Sequence, residues 1–140
     1  MAHRFAGWRA VLLALVLCPG IWSCGGDSGD DPMPIGGPPP HDVEIVPDAP
    51  NAGANAFSPS NAVISLASGN TITWFNADVS GSYGGGSGTN HHLVSDDGTT
   101  FDSGVILPDG LYQATFSAPG TYTYHCEIHS SMTGTVTVNP

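Results

Sequence analysis

From Val43 onward, apolar residues alternate with polar ones or gather in short β-branched runs, and no segment sustains a 3.6-residue apolar period. Thr71-Ile72-Thr73-Trp74 and Gly134-Thr135-Val136-Thr137-Val138 alternate as half-buried strands do. The pattern predicts strands near Val43–Val46, Ala62–Leu66, Thr71–Asn76, His91–Ser95, Phe101–Ile106, Gln113–Phe116, Thr121–Cys126 and Gly134–Val138. Turn signals separate them at Ser68-Gly69, Asp96-Asp97-Gly98, Pro108-Asp109-Gly110 and Pro119-Gly120. Seven to eight short strands in roughly a hundred residues predict an all-β sandwich of two sheets. Ala77–Asn90 breaks the pattern. Its GSYGGGSG core has no lysine and no following helix, so it reads as a surface loop and not as a phosphate cradle.

The chain before Val43 is of another kind. Met1–Arg9 holds the only two basic residues, Arg4 and Arg9, and Ala10–Cys18 is an apolar run of nine. That run falls short of the roughly 20 residues a bilayer span requires, and it suits the core of an export signal over residues 1–23. Ile21-Trp22-Ser23-Cys24-Gly25 resembles a bacterial lipobox. The resemblance implies that Cys24 is lipidated and becomes the first residue of the mature protein. Leu17 and Pro19 make Cys18 a poorer candidate. Residues 24–40 follow as that cysteine and a linker rich in Gly, Pro and Asp, which cannot bury enough surface to offset the entropy of ordering. Residues 41–140 remain as the folded domain.

This division sharpens the charge count. All 12 acidic residues lie beyond position 26, so the exported chain has no Lys or Arg to oppose them. Such a surface repels phosphate backbones and excludes nucleic acid as a partner. The acidity serves solubility first and docking of basic partners second.

Cys126 is the one thiol of the domain, although exported proteins usually pair their cysteines. Its surroundings read Tyr124-His125-Cys126-Glu127-Ile128-His129-Ser130-Ser131-Met132. Cys126, His129 and Met132 stand at i, i+3 and i+6 between two predicted strands, where a tight loop can converge them. Thiolate, imidazole and thioether form a soft donor set that selects copper over hard cations. Structural zinc normally takes more thiolates or imidazoles and no thioether. A second imidazole has to come from His91 or His92, about 35 residues upstream. Strand parity leaves both open, because Leu93 shares a face with His91 and Val94 with His92.

In this setting the sequence resembles the cupredoxins, the blue-copper proteins, particularly the plastocyanin, amicyanin and pseudoazurin group. The segments that carry the likeness are Phe57–Leu66, Gly69–Asn76, Asn90–Gly98, Phe101–Gly104 and Gly120–Val138, in family order. The resemblance implies a Greek-key sandwich holding one type 1 copper ion. It makes Cys126 and His129 equatorial ligands and Met132 a weak axial one. It selects His91 over His92, because in relatives the ligand stands four residues before the Ser of the S-D-D-G turn. Two positions depart from the family. His92 and Glu127 stand where an Asn commonly ties the two ligand strands, and a His92–Glu127 contact is expected to replace that tie. Ile128 stands where a Pro often precedes the loop histidine.

The implied function is one-electron transfer by an exported, non-enzymatic carrier, monomeric and tethered in the periplasm or cell envelope through Cys24. An exported or membrane-bound haem or copper protein would dock near His129. Copper delivery or storage is the rival reading, followed by a small copper oxidase or reductase subunit, in which His125 would hold a second metal. Tyr122, Tyr124 and Trp74 read as packing residues, and His41 as solvated.

Overall fold

A computed structural model describes residues 38–80 and 84–140. The predicted export signal, Cys24 and most of the linker lie outside these residues. Among the described residues the chain forms nine strands. β1 (Val43–Ile45), β2 (Phe57–Ser58), β4 (Thr71–Asn76) and β7 (Leu111–Thr115) build a sheet in the order β2-β1-β4-β7. β3 (Asn61–Ser65), β5 (His91–Ser95), β6 (Asp102–Ile106), β8 (Gly120–Cys126) and β9 (Thr133–Asn139) build the other, in the order β3-β9-β8-β5-β6. The eight strands expected from the pattern are all present, with ends shifted by a residue or two.

The remaining elements are a short helix, α1 (Ala49–Ala52), a 3₁₀ turn (Gly53–Asn55) and the two-residue β2. Pro50 suits the start of α1, where its missing N–H costs nothing. Both sheets are mixed. β1 runs parallel to β4 with Val43 opposite Trp74, and β3 runs parallel to β9 with Ala62 opposite Val136. Parallel neighbours need long crossovers, so these pairings join segments far apart in sequence.

Alternation decides what enters the core. In β5, His91, Leu93 and Ser95 are buried while His92 and Val94 are only half-buried. In β9, Gly134, Val136 and Val138 point inward between outward threonines. The inner faces meet on Trp74, whose ring lies 5.2 Å from Phe101, 5.7 Å from Tyr112 and 5.6 Å from Tyr124, centroid to centroid. The Trp74 Nε1–H donates to the Tyr124 hydroxyl at 3.1 Å, so the indole's polar atom is satisfied within the core. Burial holds the Tyr124 phenol well above its usual range. It therefore stays neutral.

Tyr124 lies two residues before Cys126 on the same inward face, so its packing bears on where the thiol sits. Gly134, its register partner on β9, makes room for it. A Cβ at 134 would come within 2.4 Å of the Tyr124 ring. Gly134→Ala is therefore expected to cost about 1–3 kcal/mol through overpacking. Tyr124→Phe should cost about 1–3 kcal/mol by stranding the buried indole N–H. Urea denaturation of the metal-free protein measures both, and a wild-type midpoint for either variant would mean that Tyr124 is not held as described.

Candidate metal centre

β8 delivers Cys126 at its last position, and the six residues that follow return the chain to β9. Three backbone hydrogen bonds shape that return. The His129 N–H donates to the Cys126 carbonyl at 3.2 Å, and the Met132 N–H donates to the His129 carbonyl at 3.0 Å. The Cys126 N–H donates to the Met132 carbonyl at 3.0 Å and closes the base. The loop is thus two consecutive turns, each closed from i+3 to i, which gives the C-x-x-H-x-x-M spacing a structural meaning. Cys126 and Met132 are fully buried, and His129 is partly exposed.

His91 comes from the start of β5. The β5–β8 register sets Leu93 opposite Cys126, so His91 and Cys126 share the inner face. Its Nδ1 lies 3.8 Å from the Cys126 Sγ, and the His129 Nδ1 lies 3.6 Å from the same sulfur. One ligand atom from each of the three residues lies within 4.8 Å of the others. The backbone N–H of His92 also reaches the sulfur, at 3.5 Å.

Burial lowers the pKa of His91 below the usual histidine value, against an opposing hydrogen bond to Asp78, and nearby His129 lowers it further. The imidazole is therefore neutral at neutral pH and offers a lone pair. Donors on one first-row ion at about 2.0–2.3 Å each are separated by no more than roughly 4.4 Å. The two sulfur–nitrogen separations fall inside that span. A buried thiol with no disulfide partner and two neighbouring imidazole nitrogens is a donor set suited to copper.

His92 lies on the other face. Its Nδ1 meets the Glu127 Oε2 at 2.7 Å and its Nε2 meets the Asp102 Oδ1 at 2.5 Å. The contact expected between His92 and Glu127 is thus present, with Asp102 as a second partner not foreseen. Beside it, the Glu127 N–H donates to the His92 carbonyl at 2.7 Å. His125 is also on the outer face, with its Nδ1 2.6 Å from the Asp96 carboxylate. His41 is half-buried, against Phe75 and Glu44, where a solvated side chain was expected. Cys24 lies outside the described residues.

Sequence reasoning missed the polar groups beneath His91. Asn76 and Asp78 are buried, and Asp78 touches the His91 ring. The available signal was Asn-Ala-Asp closing the apolar strand Ile72–Phe75, where polar residues enter a run that is otherwise core.

The profile of the copper binding proteins of the plastocyanin/azurin family matches residues 48–139. The chain belongs to this family. Plastocyanin of Scenedesmus fuscus is 30% identical over 100 residues, covering 63% of this chain and 91% of the relative. A purple cupredoxin from Nitrosopumilus maritimus superposes with a TM-score of 0.57 at 26% identity, covering 71% of this chain and 100% of the other. The Cu-containing nitrite reductase of Thermus scotoductus gives a TM-score of 0.54 at 29% identity, over 74% of this chain and 23% of the reductase. This cupredoxin therefore matches only about a quarter of the reductase's length. Its cofactor is one copper ion, and the His91, Cys126 and His129 group is positioned to bind it.

The His92 contacts lie near solvent, since the Glu127 and Asp102 side chains are 62% and 68% exposed. Loss of such contacts costs little. His92→Ala is expected to lower the stability of the metal-free cupredoxin by about 1 kcal/mol or less. Chemical denaturation tests this, and a loss several times larger would make His92 a structural anchor.

Proposed function

We propose that this cupredoxin is an exported one-electron carrier whose single copper is held by His91, Cys126 and His129, with Met132 as a weak fourth ligand. The observation that carries the reading is the convergence of a buried thiol and two imidazoles at one end of a rigid sandwich. When bound, copper supplies the Cu(II)/Cu(I) couple. The chain's task is to keep the donors in place through both states. Cys126 is fixed by strand pairing on one side and by its backbone bond to Met132 on the other. His91 is enclosed by the core, and His129 is held by the turn beginning at Cys126.

His129 is the most exposed of the three donors, which favours it as the point of electron entry and exit. Ile128, beside it in sequence, is half exposed, and Leu107, next to the register partner of His91, is 60% exposed. These apolar side chains support docking of an exported or membrane-bound haem or copper protein at this end. In this reading residues 1–23 are an export signal, Cys24 carries a lipid, and residues 24–40 form a tether that raises the local concentration of the monomeric carrier near membrane partners. Copper delivery or storage is the weaker alternative, because buried donors slow metal exchange. A role within a larger redox enzyme would require further domains.

Adding Cu(II) to the purified protein is expected to give an intense visible band that disappears on reduction and returns on oxidation. Cys126→Ser should abolish the band, His91→Ala should abolish or strongly shift it, and His92→Ala should retain it. Pale copper that is readily lost as Cu(I) would favour delivery. For the tether, Cys24→Ala is expected to move the protein from the membrane fraction to the soluble exported fraction. An unchanged distribution would remove the lipid anchor from the reading.

A further inference from the structure

Beneath His91 lies a buried polar network. Asn76, at the end of β4, donates from its amide to the carbonyls of Thr89 at 2.9 Å and Ile106 at 3.1 Å. Its side-chain oxygen accepts the Asp78 N–H at 3.0 Å. The Thr89 N–H donates to the Asp78 carbonyl at 3.0 Å. Gly88 permits this approach, because a Cβ there would stand 2.2 Å from that carbonyl oxygen. The Asp78 backbone is therefore held at both polar groups, its N–H by Asn76 and its carbonyl by Thr89.

Its carboxylate is used on both oxygens. Oδ1 accepts the Asp48 N–H at 2.9 Å, and Oδ2 lies 3.1 Å from the His91 Nε2. Residue 78 is only 6% exposed and His91 is fully buried. Burying a carboxylate is costly unless it is paired, and a backbone carbonyl would have sufficed merely to satisfy a ring N–H. The placement requires an account beyond packing.

We propose that Asp78 is the positioning residue of the copper site, fixing His91 as the tautomer with its proton on Nε2 and its Nδ1 lone pair turned toward Cys126. The proposal rests on the reading of His91 as a ligand. An ionised carboxylate accepts and cannot donate, so a neutral ring beside it presents an N–H. With the proton on Nε2, Nδ1 is bare, and Nδ1 is the atom that faces the Cys126 sulfur at 3.8 Å. The opposite tautomer would aim a proton into the site and set a lone pair against the carboxylate. A carboxylate behind a ligating imidazole also makes that ring a stronger donor. Its negative charge supports the divalent ion more than the monovalent one, so Asp78 holds the potential down.

Asp78→Asn keeps the shape and removes the charge. The variant is expected to fold, to remain blue and to bind Cu(II) about 10–100-fold more weakly in a competition titration, with a smaller change for Cu(I). Each tenfold difference between the two oxidation states raises the midpoint potential by about 59 mV. Asp96→Asn removes the same charge from the exposed outer face and should leave the potential close to wild type. Wild-type Cu(II) affinity and potential in a folded Asp78→Asn protein would overturn the proposal.

Nitrogen-15 NMR of the metal-free wild-type protein provides a test independent of any variant. His91 is expected as the neutral Nε2–H form, and an Nδ1–H form would overturn the proposal even if Asp78→Asn failed to fold. The parent reading fails separately, if Cys126→Ser or His91→Ala keeps the wild-type spectrum.

Discussion

Leu93 faces Cys126 across the β5–β8 pair, and a slip of one residue in that register would turn His92 inward in place of His91. The site depends on this alignment more than on any single bond within it. Side-chain period two makes the choice all or none in β5, where the odd or the even residues turn inward together. A slipped pairing would bring His92 into the core and leave Leu93 in water. It would also break the Glu127–His92 backbone bond and draw His92 away from Glu127 and Asp102. Contacts on the exposed face, weak one by one, thus act with core burial to select the same register.

The loop after β8 has a different logic. Regular strand pairing cannot bring three residues of one segment to one point, since alternate side chains diverge. Two successive turns can, because each closes a backbone hydrogen bond over three residues and so keeps Cys126, His129 and Met132 near one another along the loop. The sandwich supplies fixed ends, Cys126 in β8 and Thr133 in β9, and the loop between them has little freedom left. Rigidity at the site comes from this closure as well as from the packing beneath it.

Much of this was legible in the sequence, in unequal measure. Strand positions followed from alternation, because a half-buried strand must alternate to bury one face. Grouping of Cys126 with His129 followed from local spacing, because a tight loop acts over few residues. The choice between His91 and His92 did not follow from parity, since Leu93 and Val94 offer each face one aliphatic residue. It required the partner strand. Asp78 was missed for a related reason. A buried carboxylate is recognisable only through the groups that satisfy it, and here those are Asp48 and His91, 30 and 13 residues away. The parallel β1–β4 pairing was likewise invisible, because a long connection leaves no local turn signal. The short β2 and α1 lie in a segment with too few residues to show a period.

β1 carries one more consequence. Asp42 binds the backbone at Thr73, and β1 then runs alongside β4 toward Asn76, beneath the metal centre. The chain therefore enters the domain from the far side and advances toward the site, instead of entering beside it. In the proposed tethered carrier, the His129 end is therefore the one left free to meet a partner.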